Sequence, residues 1–182
     1  MSKYKKIIYI IILMFSFFAK GNAEYNKIFF DFKINSIDRN EIDLKKYTGK
    51  TILLVNVASN CGFTNQYADL QKIYDKYQEK GLMVIGVPTN QFFQEPENNE
   101  KIKEFCEVNF NITFPLTDKY EVIGKDAHPV YLWAKENYGG AAVPKWNFHK
   151  ILINKEGKIQ KTFGSSTKPL SEEIVSEIEK IL

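Results

Sequence analysis

The sequence predicts an α/β domain with a central mixed sheet flanked by helices, and three observations predict it. Thr51–Ala58 and Leu82–Val87 are short, nearly continuous apolar runs, the mark of strands buried on both faces. Between them Tyr67, Leu70, Ile73, Tyr74 and Tyr77 recur at helical spacing. Later, Ile151–Asn154 and Lys158–Phe163 flank Glu156-Gly157 and mark a hairpin.

The remaining elements follow in order. Ile28–Ile34 alternates apolar and polar residues and is expected to be a strand. Leu44–Tyr47 is expected as a short helical turn closed by Gly49. A polar loop after Ala58 holds Cys61, and a helix is expected from about Thr64 to a stop at Gly81. Pro88 ends the second buried strand. Asn98–Asn109 is expected to be helical, with Ile102, Phe105 and Cys106 on one face. Ile112–Leu116 is expected to be extended, and His128–Asn137 helical up to Gly139-Gly140. Ile174, Val175, Ile178 and Ile181 mark a closing amphipathic helix. Strand-helix-strand-helix, then hairpin, then helix, is a thioredoxin-like layout: the central strands parallel, the hairpin antiparallel.

Composition narrows the function. Apolar residues make up 44% of the 182-residue chain and aromatics 14%, enough for a packed core, which excludes a disordered chain. The formal charge of +3 sits at the N-terminus. Lys3, Lys5, Lys6 and Lys20 precede any acid; taking those four from 25 bases leaves 21 against 22 acids. The body therefore has no electrostatic footprint for nucleic acid. The basic start leads into the apolar run Ile7–Phe18, broken only by Ser16, and then into Gly21 and Ala23. This pattern predicts a signal peptide over residues 1–23, cleaved before Glu24, and an exported (periplasmic or secreted) protein. Kept uncleaved, the segment would be the chain's one membrane contact. Residues 24–182 are expected to form one domain.

Cys61 and Cys106 are the two cysteines. They are open to reading as a structural disulfide or a redox pair. Cys61 follows a buried strand and precedes a helix, where unsatisfied N–H groups favour the reactive thiolate. Gly62 permits a tight turn beside the sulfur, and Asn56, Ser59, Asn60, Thr64 and Asn65 supply uncharged donors. Cys61 read as an inert core thiol is the alternative. Thr64 stands where a Cys-x-x-Cys motif needs its second cysteine, which disfavours an ordinary dithiol oxidoreductase. His128 and His149 have no metal-site spacing and are expected to be packing or surface residues. Lys145, His149 and Lys150 are either a weakly basic rim or a solvated face.

The run Asn56-Val57-Ala58-Ser59-Asn60-Cys61-Gly62-Phe63-Thr64 resembles the signature around the peroxidatic residue of the glutathione peroxidase family. Further blocks match in order: Val84 to Phe92, Gln94-Glu95-Pro96, and Trp146-Asn147-Phe148. Phe105-Cys106 and Phe114-Pro115-Leu116 also fall where related sequences have them. The resemblance covers roughly residues 28–170.

The resemblance implies a thioredoxin-like fold and a thiol-dependent peroxidase. It implies a catalytic set of Cys61 as nucleophile with Gln94, Trp146 and Asn147 donating to the sulfur. Such donors favour negative sulfur and steady the departing oxygen. Neither a metal nor an organic cofactor is implied. The loop before Gln94 is one residue shorter than the family pattern, since Phe93 alone separates Phe92 from Gln94; Gln91 is the alternative glutamine. Thr89 stands where many relatives have a cysteine. The resemblance makes Cys106 a resolving cysteine. It would attack the Cys61 sulfenic acid, and a thioredoxin-like protein or glutathione would then recycle the enzyme. Cys106 as a plain core residue remains open; resolution would then fall to a small thiol. If Cys106 does resolve, its helix must unwind locally, and the Glu97–Glu100 start is the expected place. The short segment between Trp133 and Trp146 implies a monomer. Two other functions share parts of this pattern: a peroxide sensor or relay, and a non-catalytic thioredoxin-fold binding module.

Overall fold

The computed structural model describes residues 25–182, and the expected targeting segment lies outside the described residues. The described residues open with a 3-10 turn at Phe29–Asp31 and a two-residue ribbon, β1 (Ile34–Asn35) against β2 (Glu41–Ile42). The main sheet uses β3 (Thr51–Val57), β4 (Leu82–Pro88), β5 (Lys150–Ile153) and β6 (Ile159–Phe163) in the order β4-β3-β5-β6. Strands β3 and β4 are parallel, with Thr51 opposite Leu82 and Val57 opposite Pro88. Helix α1 (Gln66–Tyr77) makes the crossover between them. β5 runs antiparallel to both β3 and β6. Helices α2 (Asn99–Phe110), α3 (Pro129–Tyr138) and α4 (Glu172–Ile181) complete a thioredoxin-like fold.

The nearly continuous apolarity of β3 and β4 has a direct cause: helices or turns cover both faces of the sheet. Leu53, Val55 and Val57 point into a core with Tyr67, Leu70, Ile73, Ile102, Cys106 and Ile178. Their neighbours Ile52 and Leu54 point the other way, against Phe29, Leu44, Val130 and Trp133. A strand with water on one face would alternate instead.

The expected strand over Ile28–Ile34 is not formed; only Ile34 pairs. Adjacent Phe29 and Phe30 are both buried, which an extended strand facing water on one side cannot achieve. A turn puts both rings inward, closed by the Ile28 N–H donating to Asp31 Oδ2 at 2.9 Å. The Phe29 N–H then donates to the carbonyl of Gly157 in the β5–β6 hairpin at 2.9 Å. Gly157 has φ +75°, and a Cβ there would lie 2.9 Å from the Phe30 ring, so this contact needs glycine.

Ile112–Leu116, expected to be extended, forms no strand; it bends at Phe114 and meets the sheet by an isolated bridge between Leu116 and Gly86. Pro115 has no N–H to continue a ladder; its carbonyl accepts the Gly86 N–H at 3.0 Å. Helix α1 begins two residues later than expected. Three i→i+3 bonds precede it, from Thr64, Gln66 and Tyr67 N–H to the carbonyls of Cys61, Phe63 and Thr64.

Candidate active site

Strand β3 delivers the chain to Ala58-Ser59-Asn60, which turns it so that Cys61 stands just ahead of α1. Cys61 is 8% exposed, and its Sγ accepts the Phe63 N–H at 3.4 Å. Thr64 Oγ1 accepts the Cys61 N–H at 3.0 Å and lies within donating distance of the Ala58 and Ser59 carbonyls. The neighbouring polar side chains expected to donate to the sulfur do not. Thr64 is occupied with the loop backbone, and Asn56 has a different task.

Asn56 grips the segment that carries Trp146 and Asn147. Its Nδ2 donates to the Trp146 carbonyl at 3.1 Å, and its Oδ1 accepts the His149 N–H at 3.1 Å. Its backbone carbonyl accepts the Phe148 N–H at 2.6 Å. Phe148 sits at φ 62°, a left-handed conformation rare for a bulky residue, with its ring buried edge-on against Tyr67. The kink is held by Asn56 from outside and by the core from inside.

Gln94 is tied to both sides of the site. Its carbonyl accepts the Asn60 N–H at 3.0 Å, and its Oε1 accepts Asn147 Nδ2 at 3.1 Å. Gln91 is committed elsewhere: its Oε1 accepts the Val122 and Ile123 N–H groups, and its Nε2 donates to the Ile123 carbonyl. The structure therefore brings Gln94, not Gln91, to Asn147. Asn147 is fully buried and its Oδ1 has no partner. Trp146 is 39% exposed and packs its ring 5.4 Å from that of Phe92. None of Gln94, Trp146 and Asn147 donates a hydrogen bond to Cys61 Sγ in this structure; the Phe63 N–H is its donor.

Two buried polar groups beside the cysteines escaped the sequence reading. Glu95 is fully buried, and its Oε2 accepts both the N–H and the hydroxyl of Ser59, at 2.7 and 2.9 Å. Its Oε1 has no partner. Burial pushes the Glu95 carboxyl above its ordinary range, against the pull of those two hydrogen bonds. Tyr67 was legible only as a core-face residue of α1. Its hydroxyl is buried with no hydrogen-bonding partner in good geometry, beside the Cys106 thiol. No local pattern marks either role, because both depend on what folds against them.

Cys106 is fully buried in α2, and both cysteines are free thiols. Burial pushes the Cys106 thiol up to about 12, with the Glu95 and Glu107 carboxylates adding to the shift and Tyr67 opposing it. The start of α2, expected to open easily, is well tied. Asn98 Oδ1 caps the Lys101 N–H at 3.0 Å. Buried Asn99 donates to the Ile37 carbonyl at 3.0 Å and to Asp118 Oδ1 at 2.8 Å. A shallow groove of about 410 Å³ runs between this helix and the Cys61 loop, lined by Ser59, Asn60, Lys101 and Phe105 among others.

Of the basic residues flanking the Trp146 block, Lys145 is exposed to solvent and the other two are not. His149 and Lys150 are both buried. Lys150 Nζ donates to Gln66 Oε1 and the Thr167 carbonyl, each at 2.6 Å, pinning the first turn of α1. His128 caps α3, its Nδ1 accepting the Val130 N–H at 3.3 Å, and packs on Tyr120. Both histidines are packing residues.

Residues 29–135 match the family model described as glutathione peroxidase. The chain is 41% identical over 169 residues to a hydroperoxy fatty acid reductase of Synechocystis sp., covering 88% of this chain and 99% of that one. It is 42% identical over 158 residues to glutathione peroxidase-like peroxiredoxin 2 of Saccharomyces cerevisiae, covering 84% and 98%. Among solved structures, it superposes on Trgpx in its apo form with TM-score 0.69 at 37% identity, covering 85% and 95%. T. cruzi GPX1 gives TM-score 0.66 at 30% identity, covering 85% and 94%. With the fold, the ordered sequence blocks and the setting of Cys61 in agreement, the chain belongs to the glutathione peroxidase family.

Proposed function

We propose a two-cysteine route for this thiol-dependent peroxidase. The Cys61 thiolate attacks one peroxide oxygen. The S–O bond forms, the O–O bond breaks, and the leaving oxygen takes a proton and departs as water or alcohol. Cys61 is left as a sulfenic acid. Asn147, Gln94 and Trp146 are the donors for the sulfur and the departing oxygen once peroxide is bound. The observation that carries this reading is the position of Cys61: a nearly buried thiol between β3 and α1, its sulfur already receiving the Phe63 N–H.

Cys106 then attacks the Cys61 sulfur. The S–S bond forms, and hydroxide leaves with the Cys106 proton as water. Because Cys106 is buried and held protonated in α2, this step requires local opening of that helix. A thioredoxin-like dithiol protein or glutathione returns both thiols by exchange. The name of the yeast relative, a peroxiredoxin, accords with a thiol cycle. The chain acts as an exported monomer, on the strength of its N-terminal sequence pattern and the short Trp133–Trp146 segment.

One experiment tests the route. Reduced protein is mixed with one equivalent of hydrogen peroxide and followed by intact mass and non-reducing peptide mapping. Loss of two hydrogens with Cys61 linked to Cys106 supports it. A stable gain of one oxygen on Cys61 keeps the peroxidatic cysteine and removes Cys106 from the cycle. No change within minutes overturns the peroxidase reading.

A further inference from the structure

Phe93 departs from the packing of the described core in two ways at once. It is 90% exposed, the most exposed large apolar residue among those described. It also sits at φ 58°, a conformation that glycine or asparagine adopts at low cost and a phenylalanine does not. Neither feature results from a loose loop. The Phe93 N–H donates to the Asn90 carbonyl at 2.9 Å, and Asn90 Oδ1 accepts the Glu95 N–H at 2.9 Å. Gln91 is fastened to Val122 and Ile123, and the Gln94 carbonyl holds the Asn60 N–H beside Cys61. The backbone on both sides of Phe93 is pinned, and the ring is projected into solvent. Strain and apolar exposure concentrated at one residue of a rigid loop point to a ligand contact.

The position narrows what that contact serves. Phe93 lies between Gln94, hydrogen-bonded to Asn147, and Phe92, packed on the half-exposed Trp146. The exposed Phe93 ring, one residue on from the Phe92 that packs on half-exposed Trp146, together with that tryptophan offers a few hundred Å² of aromatic surface, by the usual size of such side chains. A stable protein interface needs about 800 Å² from each partner. The patch fits a single apolar chain better than a folded partner.

We infer that Phe93 determines substrate preference, forming with Trp146 the apolar contact for the hydrocarbon tail of an amphiphilic hydroperoxide whose peroxide group reaches Cys61. This rests on the peroxidase reading above. Phe93 takes no part in bond making; its contact is made by the tail and lowers KM for tailed substrates.

The test compares the wild type with Phe93→Asn, Phe93→Gly and Phe93→Leu, using linoleic acid hydroperoxide and hydrogen peroxide with one fixed reductant. Asparagine and glycine suit the left-handed backbone, so folding is retained, and thermal unfolding verifies it. In Phe93→Asn and Phe93→Gly the ratio of kcat/KM for the long-chain substrate to that for hydrogen peroxide falls about tenfold, through KM, as expected for loss of one apolar contact. Phe93→Leu recovers most of it. An unchanged ratio overturns the inference, whether both rates stay the same or both fall together. A change only in the dependence on a dithiol protein reductant also overturns it and assigns Phe93 to the partner instead. If the wild type turns over neither peroxide, the peroxidase reading itself fails, which is a distinct result.

Discussion

The Glu95 carboxylate accepts the backbone N–H and the hydroxyl of Ser59 together, two residues before Cys61. With the Asn60-to-Gln94 hydrogen bond beside it, this forms the seam between the Cys61 loop and the Gln94 loop. Glu95→Ala leaves a buried N–H and a hydroxyl unpaired. The expected loss is about 2–4 kcal/mol in denaturant unfolding. Glu95→Gln keeps an acceptor and loses less. The pH dependence separates the two states of the carboxyl. Its folded pKa is raised, so the folded state binds the proton more tightly than the unfolded chain. Wild-type stability from this group is fully present below the ordinary glutamate value of 4.5 and is lost as pH rises through the higher folded value. Glutamine does not titrate, so its deficit relative to the wild type shrinks across that window.

Of the three donors proposed for the sulfur, Asn147 is fully buried and bonded to Gln94. Asn147→Ala is expected to slow oxidation of Cys61 by hydrogen peroxide about 100-fold, the low end of what one lost oxyanion-type donor costs. Stopped-flow measurement in a Cys106→Ala background isolates this step from resolution. An unaltered rate would remove Asn147 from the chemistry and leave it a purely structural role.

Cys106 makes stability sensitive to alkaline pH. Burial holds its thiol at about 12 against an unfolded value of 9.0, so the folded state retains a proton that the unfolded chain gives up. The stability it contributes is present below pH 9.0 and is lost as pH rises toward 12. Cys106→Ala should show a flatter stability profile across that interval in urea titrations. A wild-type profile equally flat would mean the thiol is more exposed than the fold indicates.

Asn99 fastens the start of α2 to Ile37 and Asp118. Asn99→Ala removes both hydrogen bonds, at a cost of about 1–3 kcal/mol. It should speed formation of the Cys61–Cys106 disulfide after peroxide treatment, because in the proposed route opening of α2 precedes the meeting of the two sulfurs. Quenched-flow alkylation gives the rate. Slower disulfide formation in this variant would show that the intact helix, not its opening, presents Cys106.

The elements carried by periodicity were readable from the sequence. Continuous apolar runs at Thr51–Ala58 and Leu82–Val87 marked strands covered on both faces. The spacing of Tyr67, Leu70, Ile73 and Tyr77 marked α1, and Glu156-Gly157 marked the hairpin. The order of the blocks around Cys61, Gln94 and Trp146-Asn147 pointed to the family and its sulfur. Alternation misled at Ile28–Ile34, because burying both Phe29 and Phe30 favours a turn over a strand. It is the tertiary structure that brought Gln94 rather than Gln91 to Asn147, since the Gln91 side chain is consumed by Val122 and Ile123. It also gave Asn56 its grip on Trp146 and His149, buried Lys150 against Gln66, and seated Glu95 on Ser59. Those pairs lie 31 to 93 positions apart in the chain. Local periodicity reports which face of an element is apolar. The partner of a buried polar atom is set by which distant segment the packed core brings within hydrogen-bonding reach.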